Sequence, residues 1–224
     1  MKIDKVQVFG FESALRGMRN PLDSWDRSDS YFIYEDTDYE CWRSSKDGSE
    51  FACENTGYED NEENFVLGEA DKLLAQKLTK AGSEHCKFLR QIMVWADFDL
   101  PRNIHSEFDT YQFVVKNSES TMHTAHKRRL TQEDFEYGCY EPTLKHLNYL
   151  IEQRKSGVIS SNDFIEVFKN ALPEGFLQKR TTMLSYAQLL NIYNQRKKHR
   201  LKVWRDICEW ILELPYFKEL TGIE

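Results

Sequence analysis

Five apolar residues alternate strictly along the middle of this chain: Ile92, Val94, Ala96, Phe98 and Leu100, with Pro101 closing the run. A period of two sends successive side chains to opposite faces, so this stretch can only be a strand with one apolar face. A strand needs partners, and the chain must therefore build a sheet. Ile3, Val6 and Val8 form a second short apolar run and a candidate first strand, followed by a helix-like stretch over Phe11 to Met18.

Most of what remains reads as helix. From Glu69 to Ala81 the residues Leu73, Leu74, Leu78 and Ala81 share an apolar face, and Gly82 offers a left-handed stop. Pro142 suits the first turn of a helix, where its missing N–H costs nothing, and Leu144, Leu147, Leu150 and Ile151 carry the buried face toward Gly157. Ser161 or Asn162 caps the next helix, which buries Phe164, Val167 and Phe168. Leu189, Leu190, Ile192 and Tyr193, then Val203, Trp204, Ile207 and Ile211, continue the pattern. The class is α+β, with a helix-rich carboxyl-terminal half.

A length of 224 residues fits one domain over 1–224 and allows a sizeable core. Residues 31–64 change character: Asp and Glu recur among scattered Tyr, Phe, Trp and Cys, which reads as an acidic excursion or hairpin on the main body. A formal charge of −7 disfavours nonspecific binding to nucleic acid or an anionic membrane. Cys41, Cys53, Cys86, Cys139 and Cys208 are odd in number and form no C-x-x-C pair, which suits reduced thiols. There is no apolar signal core and no membrane-length stretch, so a cytoplasmic protein is expected.

The usual constellations of chemistry are weak. His123 and His126 lie three residues apart but have no evident third ligand, so no metal is expected. Cys86 beside His85 is a sequence neighbour, and a buried thiol is the commoner outcome than a nucleophile. The phosphate loop, G-x-G-x-x-G and G-x-S-x-G are all absent.

Two segments carry more. Glu107-Phe-Asp-Thr-Tyr-Gln112 is followed, after four intervening residues, by Asn117-Ser-Glu-Ser120-Thr-Met-His123, and Leu172-Pro173 leads on to Ser185, Leu189, Asn191 and Arg196. A helix over Leu74 to Lys80, a turn Ala-Gly-Ser-Glu-His85 and the alternating strand precede them. This frame resembles the flavin-dependent thymidylate synthases, in which a helix, a Gly-His-Glu element and a strand lead to an Arg-His-Arg motif and a Ser-x-Arg-Tyr element. The resemblance implies a mixed sheet with helices, Ser120 as the active-site serine, Arg196 reaching a nucleotide from its helix end, and Asn191 facing the nucleotide or flavin. Lys169 replaces a further family arginine, and Gln112 falls in the same nucleotide site. His85, Tyr111 and Ser185 would lie toward the cofactor. The implied reaction is flavin-dependent one-carbon transfer to dUMP or a related pyrimidine nucleotide, by a methyltransferase or hydroxymethyltransferase using FAD and methylene-tetrahydrofolate, in a homotetramer.

Several signature side chains differ. Thr110, Tyr111 and Gln112 stand at the Arg-His-Arg positions, Met122 stands for an arginine, and His123 for a tyrosine. Guanidinium forks suit phosphate oxygens, and each charged hydrogen bond lost removes roughly 1.5–3 kcal/mol. Such a site is either rebuilt from Lys127, Arg128, Arg180 or Lys169, or no longer holds the usual ligands. FAD is the ligand most affected. The alternative to an enzyme is a catalytically inactive module that binds a nucleotide or protein on the same scaffold.

Overall fold

The computed structural model describes residues 1–33 and 64–223. In chain order the elements are β1 (Lys2–Phe9), α1 (Phe11–Arg19), β2 (Tyr31–Phe32), β3 (Phe65–Val66), α2 (Glu69–Ala81), β4 (Met93–Pro101) and α3 (Arg102–Phe108). There follow β5 (Val115–Ser118), α4 (Thr121–Thr124), α5 (Glu141–Lys155), α6 (Ser161–Ala171), β6 (Leu177–Ser185), α7 (Tyr186–Arg196), α8 (Lys202–Leu212) and α9 (Phe217–Thr221). The architecture is α+β. Contacts divide it into two compact units, Met1–Val8 with Met93–Leu214 and Phe9–Ile92 with Pro215–Glu224.

The first unit is organised by β4, whose Val94, Ala96, Phe98 and Leu100 are all buried, as the alternation requires. It pairs antiparallel with β6 along its whole length, from Met93↔Ser185 to Pro101↔Leu177, and the sheet order is β1-β4-β6-β5. Neither β5 nor β6 shows the apolar alternation of β4. β5 is an exposed edge strand, and β6 reads Leu-Gln-Lys-Arg-Thr-Thr-Met-Leu-Ser, with only Thr182, Leu184 and Ser185 buried. On one face Phe98 packs against Phe108 of α3 at 5.6 Å and Trp210 of α8 at 5.2 Å between ring centroids. On the other, Thr181 Oγ1 donates to Asp97 Oδ1 at 2.6 Å, and Lys179 stands opposite Asp99.

A separate apolar cluster of this unit joins Leu144, Leu147, Leu150 and Ile151 of α5 to Phe164 and Phe168 of α6. Pro142 occupies the first turn of α5 and Gly157 follows it at φ +73°, as the sequence leads one to expect. The cap of α6 is one residue earlier than expected: Ser160 Oγ accepts from Asp163 N–H. Val167 is exposed, because the buried stripe of α6 is the narrower Phe164–Phe168 pair.

In the second unit α2 has the expected bounds but a different buried face. Asp71 and Ala75 are buried, while Leu73 and Ala81 are exposed. The reason is ionic: Arg19 Nε donates to Asp71 Oδ1 at 2.6 Å, and Ser28 and Ser30 hydroxyls donate to Asp71 Oδ2 at 2.7 Å each. Gly82 follows α2 at φ +114°, ψ 176°, a glycine conformation outside the left-handed helical region expected there. β2 and β3 pair antiparallel, Tyr31↔Val66 and Phe32↔Phe65, so the ends of the acidic excursion meet; residues 34–63, with Cys41 and Cys53, lie outside the described residues. Among the described residues no helix is long and apolar enough to cross a membrane.

Candidate functional site

Helix α7 gathers most of the residues singled out in the sequence. Ser185 is its N-cap and forms a capping box: Ser185 Oγ accepts from Gln188 N–H at 3.3 Å, and Gln188 Oε1 accepts from Ser185 N–H at 2.7 Å. Gln188 Nε2 then donates to the Gln112 carbonyl at 2.6 Å, which pins the segment after α3 to the start of α7. Toward the other end Gln195 Nε2 donates to Asn191 Oδ1 at 2.9 Å, and Tyr111 O–H donates to Gln195 Oε1 at 3.2 Å. Arg196 Nε donates to Tyr111 Oη at 2.8 Å. Ser185, Gln112, Tyr111, Asn191 and Arg196 thus lie along one hydrogen-bonded seam.

The charge of Arg196 is balanced within the protein. Its Nη1 donates to Glu107 Oε2 at 2.8 Å, and the same oxygen accepts from Trp204 Nε1 at 2.9 Å. The guanidinium lies 4.4 Å from the Trp204 ring centroid and 5.8 Å from that of Tyr111, with His199 Nε2 3.0 Å from Nη1. Phe108 stacks on Trp204 at 5.6 Å and 10°. A cation between aromatic faces, paired with a half-buried carboxylate, is well satisfied before any ligand arrives. Glu107 and Trp204 were visible in the sequence as a member of the motif segment and a core residue, but nothing there paired them.

The remaining candidates lie elsewhere. Ser120 is the exposed N-cap residue of α4; its carbonyl accepts from His123 N–H and Thr124 N–H, and no described contact links it to Arg196. Lys169 is exposed in the last turn of α6. His85 belongs to the second unit, where its N–H closes a turn on the Gly82 carbonyl at 3.0 Å and its side chain is exposed.

Two of the four cations available for rebuilding a phosphate site are already engaged. Arg128 pairs with Asp134 through both guanidinium nitrogens, and Arg180 Nη1 donates to Asp109 Oδ1 at 2.7 Å, an oxygen that Lys116 also reaches. Burial pushes the Asp109 carboxyl up, but Lys116 and Arg180 outweigh it and hold the group below the usual carboxylate range. Neither Lys127 nor Lys169 has a carboxylate partner among the described residues.

His105 sits behind this region, 2% exposed, with Nε2 2.7 Å from the Gln178 carbonyl. A carbonyl only accepts, so Nε2 carries the proton. Burial pulls the imidazole pKa down to about 4, against a smaller opposing contribution from that carbonyl. Cys208 is buried and its thiol is pushed up to about 11 by burial; Cys86 is buried and raised for the same reason, so neither resembles an activated nucleophile. Among the described residues no three His, Cys, Asp or Glu side chains gather as metal ligands.

The first unit also has a cavity of about 840 Å³, bordered by Asp99, Asn117, Lys179 and Thr181 of the sheet and by Glu119 and Arg128. It opens beside Ser120, since Ser118, Glu119 and Thr124 also line it. Burial raises the Asp99 carboxyl pKa, with Lys179 acting in the opposite direction.

No protein-family model matches this sequence, and no curated protein matches it. Solved structures do. The flavin-dependent thymidylate synthase ThyX from Helicobacter pylori, complexed with FAD and dUMP, superposes with a TM-score of 0.68 at 14% identity, covering 99% of this chain and 97% of that one. A second structure, thymidylate synthase X from Helicobacter pylori with FAD and dUMP, gives a TM-score of 0.68 at 15% identity over the same shares. Likeness at this identity establishes the fold, and the chain is built on a flavin-dependent thymidylate synthase-like scaffold.

Proposed function

We propose that this chain is a pyrimidine-nucleotide-binding protein on a thymidylate synthase-like scaffold, diverged from flavin-dependent catalysis. The scaffold and the dUMP bound by its structural neighbours support the ligand class. The observation that carries the divergence is the pairing of Arg196 with Glu107, at the helix end from which the resemblance has an arginine reach the nucleotide.

The residues do not fit FAD well. Its pyrophosphate needs several cations or N–H donors aimed at the same oxygens. Thr110 Oγ1 donates to the Glu107 carbonyl, Tyr111 is held by Arg196 and Gln195, and Gln112 supplies no charge. A single monophosphate makes a smaller demand. Ser120, Asn191 and Gln112 remain the residues proposed to meet the pyrimidine and sugar, with Ser185 the residue of the same unit assigned to any cofactor. A homotetramer is the proposed assembly.

Titration of the purified full chain with dUMP and with FAD tests this reading. Colourless protein that binds dUMP, with no submicromolar FAD affinity, supports it. Flavin copurifying near one per subunit would overturn it in favour of an enzyme that transfers a one-carbon unit from methylene-tetrahydrofolate.

A further inference from the structure

The cations around α4 and α5 form a cluster that has no carboxylate partner among the described residues. The Arg154 guanidinium of α5 lies 5.0 Å from the centroid of the Phe164 ring of α6. His126 meets the same ring edge-on at 5.1 Å and Phe168 at 6.2 Å, so the imidazole and guanidinium share one aromatic wall. His123 and Lys127 belong to the same short turn as His126, where Lys127 N–H donates to the Thr124 carbonyl at 3.1 Å.

Among the described residues none of these four side chains forms an ion pair with a carboxylate. The groups acting on His126 after burial itself are Arg154 from α5 and His123 and Lys127 from its own turn, all of one sign, while α6 presents Phe164 and Phe168 to it. Together with burial they lower its pKa. Of the acids on the adjoining segments, Glu152 pairs with Lys155, Asp163 accepts from Ser160 Oγ, and Asp134 holds Arg128. Arg154 Nη1 is moreover a buried donor with no hydrogen-bond partner. Buried donors of a charged group are normally satisfied, so this nitrogen is free to donate to a bound acceptor.

We propose that His123, His126, Lys127 and Arg154 form a binding site for a phosphate monoester. The inference rests on the nucleotide-binding reading and deepens it: the phosphate of the nucleotide is held here, on α4 and α5, rather than by Arg196. The uncompensated cluster has donors to offer, whereas Arg196 already faces a carboxylate. An anion placed against His126 favours its protonated form, so phosphate binding is coupled to proton uptake.

The experiment is calorimetric titration of the full chain with inorganic phosphate, dUMP and deoxyuridine. Arg154→Gln and the exposed Lys127→Glu are compared with the parent, and Arg154→Lys keeps the charge. Both charge-removing variants should weaken phosphate and dUMP at least tenfold and leave deoxyuridine unchanged, and Arg154→Lys should retain most of the affinity. If Arg154→Gln does not fold, Lys127→Glu carries the test. Phosphate binding lost in the variants, with dUMP no tighter than phosphate, would support the site and sink the nucleotide reading. dUMP binding unaffected by either substitution, and uncompeted by phosphate, would sink the site and leave the nucleotide reading standing. Failure of phosphate and dUMP alike to bind would overturn both.

Discussion

Arg196 and Glu107 stand 89 residues apart in sequence and meet through Nη1 and Oε2 at 2.8 Å. The carboxylate oxygen also takes the indole N–H of Trp204, so one acid fixes both the cation and the ring beneath it. This contact joins α3 to the end of α7 and the start of α8. It converts the cation that the resemblance assigns to the nucleotide into part of the framework.

Removing the charge on Glu107 should therefore be felt as lost stability. Glu107→Gln leaves Arg196 partly buried beside a neutral amide, and a cost of about 1–3 kcal/mol is expected. Chemical denaturation should show a lowered midpoint with an unchanged slope. A variant as stable as the parent would mean the pair is merely tolerated. Arg196→Ala should cost at least as much, because it also removes the cation from Trp204 and Tyr111.

Acid should destabilise the fold through His105. Its folded pKa of about 4 lies below the ordinary 6.5, so the unfolded chain binds the proton more readily. Stability is fully present above pH 6.5 and is lost as pH falls toward 4, by up to roughly 3 kcal/mol from this residue. Urea midpoints measured between pH 7 and 4 should decline, and His105→Gln should flatten that part of the decline. An equally steep profile in the variant would assign the loss to other groups.

In the second unit the critical pair is Arg19 with Asp71, both essentially excluded from water. Asp71→Asn leaves a buried guanidinium without its counter-charge, which costs about 3–5 kcal/mol. The serines that donate to Asp71 cannot compensate for an amide in its place. Thermal melts of Asp71→Asn should reveal a large drop, larger than for Glu107→Gln, whose pair is more exposed.

The proposed homotetramer is open to direct measurement. Light scattering across the micromolar range should give a mass near four chains. A monomer throughout would remove the assembly from the proposal, along with any ligand site shared between subunits.

The sequence by itself determined the elements whose signal is local. The alternation from Ile92 to Leu100 required β4, and apolar spacing with Pro142 and Gly157 bounded α5, because periodicity and backbone chemistry act over a few residues. The spacing of the two motif segments singled out Tyr111, Gln112, Ser185, Asn191 and Arg196 as residues, but not the hydrogen bonds that join them. Tertiary structure decided the rest. β6 is hidden in a polar sequence because the strands on its two edges, β4 and β5, come from distant parts of the chain. Asp71 is buried within α2 because Arg19 of α1 meets it, and its neighbour Leu73 is exposed. Arg196 is paired with Glu107, while Arg154 and His126 share the Phe164 ring with no acid paired to them among the described residues. Spacing along a chain places residues on elements, but whether a charge is paired depends on which elements pack together, and that is settled only when the core forms.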